Sequence, residues 1–454
     1  MNGVRKIVKV ITYGTYDLLH YGHIRLLERA KALGDYLIVA VTADDFDKNR
    51  GKINVQQSLM ERIEAVRATG LADEIIVEEY EGQKIDDIRS YGVDIFTVGS
   101  DWVGKFDYLN EYCKVVYLER TEGVSSTELR AKNSSVRVGF VGESDILLKY
   151  KDESRYVNGI EISGICTMDE TFRQHAEEEQ IAVYESYDDI LAASDAVYIV
   201  SHPEKHYSQI KQALEQGVHV LCESPLALSR KSCEELIQLA DQKGLVLMES
   251  IKTAYATAYN RLILLVKSGK IGRVVSVDVT CTSLRDIQEQ TTVDYQKTWN
   301  SICAWGPTAM LPIFQILGTE YTEKKITTKL LDAKTMFDAF TKIDFRYQDA
   351  VASLKVGKGV KSEGELIISG TKGYIYVPAP WWKTDYFEIR YENPADNRRH
   401  FYQLDGEGIR YELVAFVKAI EGRMKNDYID ISLTKEFAGI IEDYYTGKDT
   451  IVLM

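Results

Sequence analysis

Short apolar runs alternate with stretches of helical spacing along the chain. Ile7–Tyr13, Tyr36–Thr42, Glu74–Val77, Asp94–Val98 and Lys114–Leu118 read as buried parallel strands, a five-strand α/β unit. Between the first two, Leu26, Leu27, Ala30 and Leu33 recur at helical spacing, and Gly34 is expected to close that helix. The polar stretch Ala131-Lys132-Asn133-Ser134-Ser135 breaks the alternation, and a new glycine-bearing strand starts at Val136. From there the β/α pattern resumes, with strands expected at Ile162–Thr167, Ala196–Ser201, Val218–Cys222 and Leu245–Glu249. After Gly272 the period becomes that of long alternating strands, at Val274–Ser283, Thr341–Phe345, Ala350–Val356 and Glu365–Ser369. Helical patterns follow at Tyr411–Ile420 and Leu433–Tyr445. The expected class is therefore α/β: a Rossmann-like unit over residues 1–133, a second over 136–265, and a mixed α+β sheet with C-terminal helices over 266–454. No internal repeat or low-complexity tract interrupts this division.

A length of 454 residues supports two or three cores, and 45% hydrophobic content is that of a globular chain. Asp and Glu outnumber Lys and Arg by 69 to 55, a net charge of −14, which opposes non-specific attraction to nucleic acid or anionic membrane. Any phosphate must be held locally. No apolar run of signal-peptide length opens the chain, and none reaches the roughly eighteen residues of a membrane span. The expectation is a cytoplasmic protein without membrane insertion. Six scattered cysteines without a Cys-x-x-Cys pair suggest buried thiols rather than disulfides or a zinc ribbon, and no metal site is assigned.

The strongest chemical signal is Gly14-Thr15-Tyr16-Asp17-Leu18-Leu19-His20-Tyr21-Gly22-His23, where the first strand runs into the first helix; two of seven histidines lie within four residues. At the carboxyl end of a parallel strand, a glycine lets backbone approach a phosphate and the helix N-terminus supplies free N–H donors. Two imidazoles beside it can stabilise charge on a phosphoryl group during in-line displacement. Two histidines satisfied by backbone carbonyls at a helix start are the structural alternative.

These residues resemble the nucleotidyltransferases with a His-x-Gly-His signature, most closely the glycerol-3-phosphate cytidylyltransferases, over about the first 132 residues. Tyr16 and Tyr21 stand where Phe and Trp are usual. Gly99-Ser100-Asp101-Trp102-Val103-Gly104-Lys105-Phe106-Asp107 and Arg120-Thr121-Glu122-Gly123-Val124-Ser125-Ser126-Thr127 are similar to two further signatures of that family. The resemblance implies catalytic roles for His20, His23 and Arg120. It implies nucleotide or phosphate binding by Gly14, Thr15, Asp17, Arg50, Lys52, Arg62, Ser126 and Thr127. Asp101 and Trp102 either shape the cytidine or acceptor pocket or pack a helix start. The implied reaction joins CTP, with Mg²⁺, to a small polyol phosphate such as glycerol phosphate, releasing pyrophosphate and giving a CDP-polyol for teichoic acid or capsule synthesis. A homodimer or higher homo-oligomer is implied too.

From Val136 the chain resembles the glucose-fructose oxidoreductase family. The likeness runs through Asp195-Ala196-Val197-Tyr198-Ile199-Val200-Ser201-His202-Pro203-Glu204-Lys205-His206 and Gly217-Val218-His219-Val220-Leu221-Cys222-Glu223-Ser224-Pro225, and continues at Gly370-Thr371-Lys372-Gly373. Its cofactor chemistry is altered. Gly142-Glu143-Ser144-Asp145-Ile146-Leu147 keeps the first glycine of a dinucleotide fingerprint, but Ser144 and Leu147 replace the others and two acids stand where a pyrophosphate would sit. Thr167 replaces the ribose-binding acid, with Asp169 close by. The family's Glu-Lys-Pro reads Glu223-Ser224-Pro225, and Ala304-Trp305-Gly306-Pro307-Thr308 falls where a proton donor is usual. Two readings stay open. This part is a binding, scaffolding or dimerisation domain, or it is an oxidoreductase for a sugar or polyol phosphate that uses NAD or NADP with differently placed residues, among them Gly142, His206, Glu223, Lys252 and Tyr255.

Overall fold

The computed structural model describes residues 7–17, 19, 21–43, 55, 57, 59–78, 82–119, 135–157, 159–284, 299–402, 404–422 and 428–453. The chain forms two compact units, 1–135 and 136–454. In the first, β1 (Lys9–Gly14), β2 (Tyr36–Thr42), β3 (Glu74–Glu78), β4 (Ile95–Gly99) and β5 (Lys114–Leu118) make a parallel sheet in the order β3-β2-β1-β4-β5. Its strands read as unbroken apolar runs because both faces are covered. Val10, Leu37, Val39 and Val41 point to one face, packed by Leu27 and Ala30 of helix α1 (Tyr21–Lys31) and by Ile63 and Val66 of α2 (Leu59–Ala68). The intervening Ile11, Ile38 and Ala40 point to the other, against Ile88 of α3 (Gln83–Tyr91).

Helix α1 ends at Lys31, so Leu33 lies in the following turn rather than on the helix. Gly34 does not take the left-handed conformation of a helix-closing glycine. It is needed because a Cβ there would lie 2.6 Å from the Val8 carbonyl oxygen.

In the second unit β6 (Val136–Gly142), β7 (Ile160–Cys166), β8 (Ala196–Val200), β9 (His219–Glu223) and β10 (Leu247–Ser250) form another parallel sheet, ordered β10-β9-β8-β6-β7. Both sheets reverse strand order beside their first strand, and the carboxyl ends of the strands at such a reversal form the crevice in which open α/β sheets take ligands. The nine-strand mixed sheet comprises β11 (Val274–Thr282), β12 (Glu323–Asp332), β13 (Phe337–Arg346), β14 (Val351–Gly357), β15 (Leu366–Gly370), β16 (Gly373–Val377), β17 (Tyr386–Tyr391), β18 (Arg398–Phe401) and β19 (Thr450–Val452). One face is covered by the helix Ser301–Leu317, whose Asn300 cap accepts the Cys303 N–H at 3.1 Å. The spacing did not predict this helix, because Pro307 and Pro312 lie inside it. Four of the six thiols are buried; Cys113 and Cys166 are only half-buried, a departure from the sequence expectation. No described helix is long and apolar enough to cross a membrane.

Candidate functional site

The loop leaving β1 is fixed from two sides. Arg62, on α2 and fully buried, donates from Nη1 to the carbonyls of Thr15 at 2.7 Å and Thr42 at 2.8 Å, and from Nε to that of Gln57 at 3.1 Å. Asp17, also buried, accepts the Gln57 N–H at 2.9 Å. Between them Tyr16 takes a left-handed φ of 54° and turns its buried ring over the strand end, 5.6 Å from the imidazole of His23 in an edge-on arrangement. Gly14 is required beneath that ring, since a Cβ would lie 2.9 Å from Tyr16 Cζ. His23 is half-buried in the first turn of α1. At the end of β4, on the other side of the strand-order reversal, Asp101 and Trp102 occupy the short turn Ser100–Trp102. Asp101 is exposed; Trp102 packs 5.8 Å from Phe106, with the Lys105 ammonium 5.0 Å above its ring. Gly14, Thr15, Asp17, His23 and Arg62 thus meet at one strand end. His20, Arg50, Lys52, Arg120, Ser126 and Thr127 lie outside the described residues.

The sequence pattern does not announce a buried polar network at the same edge of the sheet. Thr42 donates to Glu78 at 2.9 Å, Glu78 pairs with Lys84, and Lys84 lies 4.4 Å over the ring of Tyr13, whose hydroxyl donates to Asp87 at 2.7 Å. Lys84 and Asp87 stand three apart on α3, a polar pair one position before the core-facing Ile88; that placement was the available signal.

The Arg62 geometry carries a test. Arg62→Ala leaves three carbonyls without their donor and is expected to cost about 3 kcal/mol of local stability. Faster hydrogen exchange in peptides spanning β1 and β2 is the readout, with partial recovery in Arg62→Lys, which lacks the planar fork. Unchanged exchange would remove Arg62 as the clamp of this loop.

The second unit holds a cleft of about 1080 Å³ between its parallel sheet and its mixed sheet, lined by Glu143, Lys149, Asp169, Glu223, Lys252, Trp305, Trp382, Lys383 and Glu407 among others. Glu223, at the end of β9, accepts from the Tyr198 hydroxyl at 2.7 Å and from Ser250 Oγ at 3.2 Å. Ser250 also reaches Glu412 at 3.0 Å, and Glu412 pairs with the hydroxyl of Tyr150, whose ring stacks on Tyr198 at 4.0 Å. Burial pushes the Glu223 carboxyl up, and burial together with the neighbouring Glu223 charge pushes Glu412 up to about 8. This acid and phenol system reaches the cleft through Glu223 and Ser250.

The other sequence candidates divide. Lys252 and Glu223 line the cleft, but His206 does not: it is fully buried, its ring nitrogens 2.7 Å from the Pro225 and Ser201 carbonyls, and burial takes its pKa down to about 4. Tyr255 is buried against Tyr428, outside the cleft lining. Gly142, at φ 138°, is demanded by the strand crossing, where a Cβ would lie 2.6 Å from the Val200 carbonyl carbon. Asp169 caps the helix Glu170–Glu178, accepting the Thr171 and Phe172 N–H groups. At this strand end Leu147 is buried at the position of the fingerprint's helix-packing glycine, and Glu143 lines the cleft.

Comparison with known proteins divides the chain at the same place. Residues 11–132 match the cytidylyltransferase-like family, and residues 136–251 match the oxidoreductase family with an NAD-binding Rossmann fold. The glycerol-3-phosphate cytidylyltransferase of Bacillus spizizenii is 48% identical over 128 residues, 28% of this chain and 98% of that protein; the Staphylococcus aureus enzyme is 48% identical over 126 residues, 27% of this chain and 92% of that one. Among solved structures, KijD10, a 3-ketoreductase from Actinomadura kijaniata in complex with NADP and TDP-benzene, aligns with a TM-score of 0.63 at 18% identity over 71% of this chain and all of its own. UDP-N-acetylglucosamine 3-dehydrogenase GnnA from Acidithiobacillus ferrooxidans aligns with a TM-score of 0.56 at 17% identity, over 69% of this chain and 98% of that one. Such likenesses carry the fold alone. With a complete cytidylyltransferase matched at near half identity, the chain belongs to the cytidylyltransferase-like family as a nucleotidyltransferase, joined to a domain of the oxidoreductase family with its NAD-binding Rossmann fold.

Proposed function

We propose that the protein transfers the cytidylyl group of MgCTP to a small polyol phosphate, glycerol phosphate foremost, and that the CDP-polyol serves a bacterial cell-surface polymer. The observation that carries this is the 48% identity across 98% of a glycerol-3-phosphate cytidylyltransferase. In the reaction an acceptor phosphate oxygen bonds to the α-phosphorus as the α–β bridging bond breaks and pyrophosphate leaves. The nucleophile is already anionic, so alignment and charge neutralisation suffice. His20, His23 and Arg120 bear on the reacting phosphoryl group. Gly14, Thr15, Arg50, Lys52, Ser126 and Thr127 serve the phosphates of the two substrates, and Asp101 and Trp102 border the pocket. Asp17 and Arg62 hold the loop in place through Gln57 and Thr15. The reading includes a cytoplasmic homodimer or higher homo-oligomer.

The test is pyrophosphate release from CTP with glycerol 3-phosphate and a panel of longer polyol and sugar phosphates, with His20→Ala as control. Turnover with one acceptor, abolished in the variant, is expected; no turnover with any acceptor would reject the reading.

A second reading gives the unit 136–454 a redox reaction on a sugar or polyol phosphate with NAD(P). The NADP complex of the fold neighbour and the acid system behind Glu223 favour it. The altered glycine pattern opposes it, as do the acids Glu143 and Asp145 in the fingerprint. An interaction module without catalysis is the remaining alternative for this unit.

A further inference from the structure

In a chain of net charge −14, one wall of the second unit's cleft gathers cations. Three lysines from three different elements converge on a single carboxylate. Lys383 Nζ lies 2.8 Å from Glu407 Oε2, Lys252 Nζ 2.9 Å from the same oxygen, and Lys149 Nζ 3.4 Å from Oε1. Glu407 bonds all three ammonium groups and Glu223 faces Lys252 through space, so three positive charges meet two carboxyl groups, and a dianion would neutralise them more fully than Glu407 does. Burial, and the charges of Lys252 and Lys149, hold the Lys383 ammonium below its ordinary range although Glu407 opposes this.

Two further features suit exchange. Glu407 takes a left-handed φ of 55° between Gly406 at 55° and Gly408 at 92°, a conformation that side-chain-bearing residues rarely adopt. Its side chain is 36% exposed, and those of Lys252 and Lys383 are 17% and 33% exposed, so the cluster is open to the cleft rather than sealed in the core. Trp305 and Trp382, 4.9 Å apart, add aromatic surface on which a base or sugar can pack.

We propose that Lys149, Lys252 and Lys383 form a binding subsite for the diphosphate of a nucleotide ligand, whose phosphoryl oxygens exchange with the Glu407 carboxylate. The ligand is either the CDP-polyol of the first unit, an assignment that rests on the function proposed above, or a dinucleotide. Both carry the same phosphoanhydride. Lys149 brings the helix Ile146–Ser154, which follows the fingerprint segment, to the subsite, whereas Lys252 and Lys383 come from outside that segment, and Glu407 acts among them as a built-in competitor.

The experiment uses the full chain, with CDP-glycerol, NADPH and inorganic pyrophosphate as separate probes. Affinity is measured by calorimetric titration, and the site is located by hydrogen exchange in peptides covering 380–386 and 404–411. The expected result is a change in exchange in both peptides, about tenfold tighter binding in Glu407→Gln, and at least tenfold weaker binding in the double variant Lys252→Gln/Lys383→Gln. The probe that produces the effect names the source. A purely structural ion-pair hub would instead give a destabilised Glu407→Gln with unchanged or weaker binding, and that result, or exchange changes confined to residues 9–119, overturns the proposal. Pyrophosphate release from CTP by the same wild-type preparation separates the two readings: turnover without binding here rejects the subsite alone, and binding here without turnover rejects the transferase function alone.

Discussion

His23→Ala is expected to lower kcat/KM for cytidylyl transfer by about 10²–10³-fold, the usual cost of removing one donor aimed at developing phosphoryl charge. The imidazole sits in the first turn of α1, directly after the loop that leaves the central strand β1, at the end of the helix whose dipole favours an anion. Arg62 and Asp17 hold that loop by its backbone, and the ring of Tyr16 braces His23 from the side. The geometry is thus set before substrate arrives, and the loss should fall on kcat more than on KM for CTP. Thermal melting of the variant checks that Tyr16 has not lost its packing partner. A fall of less than about threefold with an intact melting curve would assign His23 to packing against Tyr16 rather than to the reaction.

The second large effect is expected in the other unit, as a dependence of stability on pH. Glu412 is fully buried, accepts from Tyr150, lies 3.0 Å from Ser250 Oγ, and has its pKa raised to about 8 by burial and then by Glu223, with Lys252 pulling the other way. A raised folded-state pKa means that the folded chain holds a proton which the unfolded chain has released above its own value near 4.5. Stability from this group is therefore complete below about pH 4.5 and is lost progressively as pH rises to about 8, by a few kcal/mol at most. Glu412→Gln keeps the shape and removes the titration. Urea unfolding at about pH 5, 7 and 9 should show the wild type weakening relative to the variant at each step. Parallel profiles for the two proteins would mean that Glu412 is ionised at neutral pH and stabilised by its neighbours.

Where local pattern decides structure, the sequence was informative: β2 and β5 were expected at the bounds they take, because strands buried on both faces read as unbroken apolar runs. The helix Ser301–Leu317 was hidden by Pro307 and Pro312, which tertiary packing on the mixed sheet overrides. Strands β17 and β18 were missed because charges occupy them. Arg390 and Arg399 both pair with Glu388, so residues that look like loop are satisfied on the sheet itself. At the first site the motif held Gly14, Asp17 and His23 because all three lie on or beside one strand end, whereas Arg62 was named only through the resemblance, as a phosphate ligand, and its guanidinium is bonded to three backbone carbonyls. It could not show that Tyr16 folds back over the glycine or that Gln57 links Asp17 to α2. In the second unit, Tyr150 meets Glu412 and Lys149 meets Glu407 across more than 250 residues of chain, and no local period encodes such pairs.

The two prolines of Ser301–Leu317 also change what that helix can offer. Proline has no amide hydrogen, so Pro307 and Pro312 withhold the usual ladder donors from the carbonyls of Cys303 and Thr308, four residues earlier. Thr308 lines the cleft. The helix therefore goes without two rungs of its own ladder, and its packing on β11, β13 and β14 is what keeps it in register with the sheet.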